Sequence, residues 1–329
     1  MDRHYIILVP VFNDWDVAKR LLQHLAEELK DTSYTVDVCL IDDGSSTPCP
    51  DDFINGIEKN KALQAIRVLA LRRNLGHQRA IAVGLAYINQ NFPGTDVAIM
   101  DADGEDRPQD LVRLLEAHQD QGKEQVVFAE RSERSEGLMF RILYQVYRFV
   151  FHMLTGQRIA MGNFSVMSAS ILDRLVAVSE IWNHYVAAVL KAQIPHTSIP
   201  TVRGIRYQGR SRMNTESLII HGLSSAAVFP EKIGTRALVV IALFMLLVVV
   251  AIGVVVTIRL ATDLAIPGWA SYMVSILSVM GLNALVLMGM FVFLVLGGRN
   301  QAAFIPSRDY GYFVLRVSGN LLEAPARNP

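Results

Sequence analysis

Two cysteines in 329 residues leave little room for disulfide or zinc chemistry. Cys39 lies in a strand-like run and Cys49 in a loop. Neither has the paired spacing of a thiolate metal site, so the soluble part suits a reducing, cytosolic setting. An excess of one charge is also missing. Lys+Arg and Asp+Glu both number 31, for a net charge of +0, which gives no electrostatic footprint for nucleic acid. Internal repeats and low-complexity tracts are not visible. The first residues run directly into a strand pattern and carry no signal-peptide pattern.

What the chain does have is apolar residues, 51% of the total, and they are unevenly spread. The runs 237–258 and 270–296 are free of charge. Each exceeds the roughly 20 apolar residues that cross a bilayer. The linker between them holds Pro267 and Gly268, and Trp269 suits an interface position. A transmembrane hairpin is therefore expected. Lys232 and Arg236 precede it, Arg299 and Arg308 follow it, and the linker carries only Arg259 and Asp263. That asymmetry predicts both termini in the cytoplasm.

Upstream, short apolar runs alternate with amphipathic helical patterns. Strands are expected over 5–9, 36–41, 66–71, 97–100 and 126–129, with a further strand over 162–167, and their alternation with helices predicts a doubly wound, mainly parallel α/β sheet. Each of the first four ends in a loop rich in Asp, Asn, Gly or Arg. The fourth ends in Asp101-Ala102-Asp103-Gly104-Glu105-Asp106-Arg107-Pro108, with Pro108 opening a helix. Ligands bind at the carboxyl ends of strands in open α/β sheets. Alternate residues of an extended segment face the same way, so Asp101, Asp103 and Glu105 can converge. Such hard oxygen donors suit Mg²⁺ or Mn²⁺. An acidic turn on a solvated loop is the competing reading of that stretch alone.

Four motifs in order, Val-Pro-Val-Phe-Asn-Asp, Asp-Asp-Gly-Ser, Arg-Asn-Leu-Gly-His-Gln and Asp-Ala-Asp-Gly-Glu, resemble a family 2 glycosyltransferase of the GT-A fold. With the hairpin, the chain is most similar to the polyprenyl-phosphate glycosyltransferases, a group that includes dolichyl-phosphate mannose synthases. The resemblance implies a GT-A, Rossmann-like domain over 1–212, a juxtamembrane segment over 213–236, two transmembrane helices over 237–296 and a cytosolic tail over 297–329. It also implies the nucleotide site. Pro10, Phe12 and Asp14 match the segment that cradles base and ribose, with Asp14 in place of the more usual Glu. Asp42 and Asp43 match a pair of which one reads an N–H of the base; a turn built on Asp side chains is the alternative there. Asn74 and Gly76 match the loop along the nucleotide, Arg79 can reach a phosphate, and Ala102 joins the nucleotide-binding set. His77 is equally well read as a structural histidine. Asp101 and Asp103 match the metal motif, and Glu105 stands where Gln is common, so all three are candidate ion ligands.

Two further stretches point to the acceptor. Residues 137–154 form a helical pattern apolar around most of its girth, with Arg141, Gln145, Arg148 and His152 as a polar stripe. It suits a membrane interface, with a core helix as competitor. Arg203, Arg206, Arg210 and Arg212 then match the family's flexible acceptor loop. Arginine suits bidentate phosphate recognition, so Arg206 and Arg210 join Asp101 and Asp103 as candidate catalytic residues, on a loop expected to order when donor binds. The implied enzyme is an inverting, metal-dependent hexosyltransferase of the inner membrane. It would move a sugar from UDP-glucose or GDP-mannose to a polyprenyl phosphate, and a homo-oligomer is compatible with this. A same-family transferase acting on a hydroxyl of a glycolipid and a non-catalytic membrane scaffold are the alternatives. A processive synthase is disfavoured by the lack of a Gln-x-x-Arg-Trp motif. The tail after Gly298 is expected to pack on the catalytic domain.

Overall fold

A computed structural model describes residues 3–57, 60–131, 138–157, 161–207, 222–262, 266–299 and 304–322. The chain divides into two compact units, Met1–Phe149 with Gln157–Val228 and Ala303–Pro329, and Val150–Gly156 with Phe229–Ala302.

The first unit is built on a mixed sheet. Its strands are β1 (His4–Val11), β2 (Thr35–Asp42), β3 (Leu63–Leu71), β4 (Asp96–Ile99), β5 (Val126–Arg131), β6 (Ser165–Met167), β7 (His196–Thr201) and β8 (Val314–Val317). They lie in the order β7-β5-β6-β4-β1-β2-β3-β8. The expected parallel core is present: β1 pairs in parallel with β2 and β4, and β2 with β3. Two strands run against that direction, one of them the expected 162–167 strand, shortened to Ser165–Met167. The three-residue β6 runs antiparallel between β4 and β5, and β8 runs antiparallel on β3. The β8 strand belongs to the tail. Phe313 O accepts from Arg72 N at 2.8 Å, and Asn320 Oδ1 accepts from Ile66 N at 3.1 Å. Phe304 and Phe313 close on Trp182, with ring centroids 4.0 and 4.9 Å away.

Helices α1 (Trp15–Leu29), α2 (His77–Asn91) and α3 (Pro108–Asp120) cross between strands. Leu21, Leu22 and Leu25 of α1 are fully buried with Ile7, Val38 and Leu40 of the sheet. Each such side chain contributes about 1.5–3 kcal/mol by leaving water. Shorter helices α5 (Ala169–Leu175) and α6 (Tyr185–Lys191) follow α4 (Leu138–Thr155).

The second unit holds α7 (Pro230–Ala261) and α8 (Trp269–Arg299). A Cβ on Gly234 would strike Val295, and one on Gly281 would touch Val248. Both pairings fit an antiparallel hairpin. The two helices are long and apolar enough to cross a membrane, and only 11% and 6% of their most apolar windows is buried. Leu243, Leu247, Val286 and Phe293 stay largely exposed. Apolar surface of this extent marks a lipid or protein contact, not a soluble core. In α4, Phe149 and Met153 are exposed, while Phe151 packs edge-on against Phe229.

Candidate active site

The sheet register brings four strand ends to one edge. Pro10 pairs with Ile41, Val11 with Asp42, and Asp42 with Ala70. Leu8 O accepts from Met100 N at 3.1 Å, which sets Asp101 beside the end of β1. The chain builds β1, β2 and β3 to one side and then crosses to β4 on the other. The gap between β1 and β4 is thus a topological switch point, where open α/β sheets hold ligands.

On the β2 side the loops are knitted by main-chain hydrogen bonds. Asp43 Oδ1 accepts from Leu75 N at 2.7 Å and its Oδ2 from Gly76 N at 2.9 Å. Asp42 Oδ1 accepts from Ser45 N at 2.9 Å. Burial pushes the Asp43 carboxyl upward, against the two N–H groups that stabilise its charge. Asp42 therefore holds its own turn, as the turn reading has it, whereas Asp43 ties the loop after β2 to the loop after β3. Gly44 has φ of +68°, and a Cβ there would collide with the backbone of Arg73. Asn13 is a residue the sequence reading passed over. Its Oδ1 accepts from Ser46 N at 2.9 Å and Ser46 Oγ at 3.0 Å, and its N donates to Ser45 Oγ at 2.9 Å. Its short amide tolerates the left-handed φ of 57° found here. Phe12 is 39% exposed beside this cluster, an apolar face open to a planar ligand.

The turn after β4 is acidic and tightly folded. Asp106 Oδ2 accepts from Asp101 N at 2.9 Å, and Asp103 Oδ1 accepts from Glu105 N at 3.0 Å. Burial and the charge of Asp101 push the Asp103 carboxyl above its ordinary range, against the Arg206 guanidinium and the Glu105 N–H. A carboxylate short of positive charge beside a second one suits a hard divalent cation, and Mg²⁺ commonly takes one or two carboxylates plus substrate phosphates. Among the described residues, no three His, Cys, Asp or Glu side chains form a ready-made cage. The donor set therefore fits an ion shared with a diphosphate, held by Asp101 and Asp103.

His77 opens α2 beside this turn, with Nε2 3.2 Å from Asp101 Oδ1. Desolvation opposes its protonation, but the Asp101 carboxylate outweighs that and raises its pKa. A chain of amides meets the same nitrogen. Tyr185 N donates to Gln78 Oε1 at 2.7 Å, which leaves Gln78 Nε2 to donate to Asn163 Oδ1 at 3.1 Å. Asn163 Nδ2 then faces His77 Nε2 at 3.0 Å. A main-chain N–H on α6 thus orients the amides of Gln78 and Asn163 beside the acidic turn. Sequence spacing gave no sign of this link.

Beyond β7 the segment 203–207 lies directly on the acidic turn. Gly204 N donates to Glu105 O at 2.8 Å and Tyr207 N to Asp103 O at 3.0 Å. A Cβ on Gly204 would overlap Gly104 O. Tyr207 OH meets His24 Nδ1 at 2.9 Å, and Tyr207 O accepts from Arg20 Nη1 at 3.1 Å. Arg203 Nη2 and Arg206 Nε both donate to Glu105 Oε1, at 2.7 and 2.6 Å. Arg206 Nη2 lies 2.8 Å from Asp103 Oδ2. Burial alone would raise the Glu105 pKa, but the two guanidiniums hold it below the usual carboxylate range. Behind the turn, a small cleft of about 20 Å³ is lined by Asp101, Asn163, Phe164, Thr201 and Arg203 among others.

The structure thus gathers Pro10, Phe12, Asp42, Asp43 and Gly76 along β1 and β2, and Asp101, Asp103, Glu105 and Arg206 at the acidic turn. Asp14 occupies the N-cap position of α1 and Asn74 is exposed. Ala102 is buried in the core cluster. Arg79, expected at a phosphate, instead lies over the Trp182 ring with its guanidinium carbon 5.2 Å from the centroid. Arg210 and Arg212 fall outside the described residues, as does the side chain of Arg141.

The mixed sheet with its acidic strand end defines a GT-A-type transferase fold. It superposes on glucosyl-3-phosphoglycerate synthase from Mycobacterium tuberculosis, solved in complex with Mn²⁺, UDP-glucose and phosphoglyceric acid. The TM-score is 0.51 at 14% identity, over 70% of this chain and 80% of that one. The glycosyl transferase family 2 model matches residues 6–172, just over half the chain. The protein belongs to glycosyl transferase family 2. Among its relatives, the uncharacterized glycosyltransferase YkcC of Bacillus subtilis is 25% identical over 94% of this chain and 96% of its own length. The prophage bactoprenol glucosyl transferase homolog of Escherichia coli is 26% identical over 72% of this chain and 76% of its own. An undecaprenyl-phosphate 4-deoxy-4-formamido-L-arabinose transferase of Salmonella choleraesuis is 26% identical over 49% and 46%.

Proposed function

We propose that the protein is a membrane-bound, inverting hexosyltransferase that moves a sugar from a nucleoside-diphosphate donor to a polyprenyl phosphate. The observation that carries this is the pairing of two opposite charge sets at one strand end. Asp103 and Glu105, in the same turn as Asp101, pair with Arg206 and Arg203, in a chain with two membrane-length helices. The names of two relatives agree: one is a bactoprenol glucosyl transferase homolog and the other an undecaprenyl-phosphate transferase.

Phe12, Asp14 and the loops held by Asp42 and Asp43 receive the nucleoside, with Asn74, Gly76 and Ala102 beside it. Asp101 and Asp103 would hold the ion, and Mg²⁺ or Mn²⁺ there would supply charge neutralisation for the departing diphosphate. The arginines of the 203–212 segment, Arg206 and Arg210 foremost, orient the lipid phosphate and shield its charge. One phosphate oxygen attacks the anomeric carbon opposite the departing nucleoside diphosphate, and the configuration inverts. A phosphate monoester has its second pKa near about 6, so the nucleophile is already ionised and needs no strong base. Positioning and charge neutralisation then supply the rate. Both termini and the catalytic unit lie on the cytoplasmic side of the inner membrane by the arginine and lysine asymmetry, with 213–236 as the juxtamembrane segment and 237–296 in the bilayer.

Incubating the purified protein with radiolabelled UDP-glucose or GDP-mannose and undecaprenyl phosphate tests the reading. An acid-labile labelled lipid is expected. An acid-stable glycolipid would favour a hydroxyl acceptor, and no labelled lipid from a panel of donors would leave a non-catalytic role.

A further inference from the structure

The acidic turn contains three carboxylates with different partners. Asp101 and Asp103 were both expected at an ion, and Glu105 with them. In the structure Glu105 serves another purpose. Its side chain is only 9% exposed, and one oxygen, Oε1, receives Arg203 at 2.7 Å and Arg206 at 2.6 Å. Its own carbonyl accepts from Gly204. Two arginines three residues apart would repel each other if free. Sharing one buried carboxylate holds them side by side as a single cationic clamp. Arg206 reaches further, to Asp103 Oδ2 at 2.8 Å. That oxygen is one a cation on Asp103 would also claim. A guanidinium and a divalent ion cannot both take the same lone pairs of Asp103 at full strength.

We propose that Glu105 is a positioning residue that anchors Arg203 and Arg206, and that the divalent cation and Arg206 compete for Asp103. When the ion takes Asp103, Arg206 turns away but stays tethered at Glu105, within reach of the phosphates. Ion binding and delivery of a phosphate-binding arginine are then one event. This rests on the glycosyl-transfer reading given above, and it assigns Glu105 and Arg206 roles that a simple three-carboxylate ion site would not.

The test reads ion affinity, not turnover alone. Mn²⁺ binding to the full-length protein in detergent is followed by electron paramagnetic resonance, first without nucleotide and then with UDP and with GDP. Without nucleotide, Arg206→Ala removes the competitor and offers no phosphate contact to lose, so Mn²⁺ should bind about two- to tenfold tighter, in line with the modest strength of a partly exposed ion pair. Turnover of the same variant should fall. Glu105→Gln should keep Mn²⁺ affinity within about threefold while raising the KM for lipid phosphate, because the clamp loosens and the ion site survives. If Glu105→Gln loses Mn²⁺ affinity tenfold or more, Glu105 is an ion ligand and the proposal is wrong. Equal or weaker Mn²⁺ binding by Arg206→Ala without nucleotide also overturns it. Wild-type protein that binds no Mn²⁺ with either nucleotide would instead strike at the glycosyl-transfer reading itself, and the two failures are separable.

Discussion

Two loop clusters flank the end of β1, and different forces hold them. On the β2 side, Asp42, Asp43 and Asn13 spend their oxygens on main-chain N–H groups. Such bonds have fixed partners that no ligand replaces, so this half is preformed. On the β4 side, Asp103, Glu105, Arg203 and Arg206 hold one another as ions. An ion pair can exchange one member for a substrate phosphate or a cation at little net cost. On the proposed function, that difference separates the reaction's charges: the nucleoside would dock on the rigid wall, and the diphosphate, ion and lipid phosphate would meet the exchangeable one.

That contrast can be broken by experiment. The largest effect is expected from chelation. Removing divalent cations should lower sugar transfer about 10³-fold or more, with recovery on adding Mn²⁺, because the leaving diphosphate loses its main source of charge neutralisation. Full activity in chelator would place the chemistry elsewhere. Next, Arg206→Ala should lower kcat about 10²-fold while the melting temperature stays within about 2 °C, as expected for a partly exposed pair. A large drop in melting temperature would show that the β4 side is as structural as the β2 side.

A stability comparison needs the right pH. His118 is fully buried beneath the sheet, and Tyr5 OH meets its Nδ1 at 3.2 Å. Gln119 Nε2 donates to that hydroxyl at 2.8 Å, so the Tyr5 O–H donates to the ring. Burial pushes the His118 pKa down to about 4. Unfolded histidine titrates near about 6.5, so the unfolded chain binds the extra proton first. Stability should be fully present above pH 6.5 and fall by up to about 3 kcal/mol as pH drops toward 4. Denaturant melts across that window check it, and His118→Gln should flatten the slope. The smallest expected effect is Asp43→Asn, measured above pH 6.5. Only one of its two main-chain donors keeps an acceptor, so unfolding should become about 2 kcal/mol easier, with kcat changed less than in Arg206→Ala. The reverse pattern would erase the distinction between the two walls.

Much of this fold was legible because four strand ends carry short polar loops in order. Apolar runs such as 5–9 and 36–41 read as strands of a mainly parallel sheet, because strands buried on both faces are near-continuously apolar. The antiparallel strands were harder. Residues 162–167 read as a strand but do not show its direction, and β8 owes its pairing to β3, some 240 residues away in the chain, not to its own mostly exposed side chains. The candidate site was legible as a set of residue types and illegible as a set of partners. Asp101 and Asp103 stand out beside a strand. Nothing local marks Glu105 as the partner of Arg203 and Arg206, since those lie about a hundred positions on. The Gln78–Asn163–His77 chain and the Arg79–Trp182 stack were hidden for the same reason.

The central claim is that the carboxylates at the end of β4 hold a divalent cation against an activated sugar. The most direct measurement compares wild type and Asp103→Asn, in saturating Mn²⁺, for formation of labelled undecaprenyl-phosphate sugar. The substitution preserves size and the contact to Glu105 N while removing the charge. The account predicts a loss of about 10²-fold or more in product; output equal to wild type would contradict it.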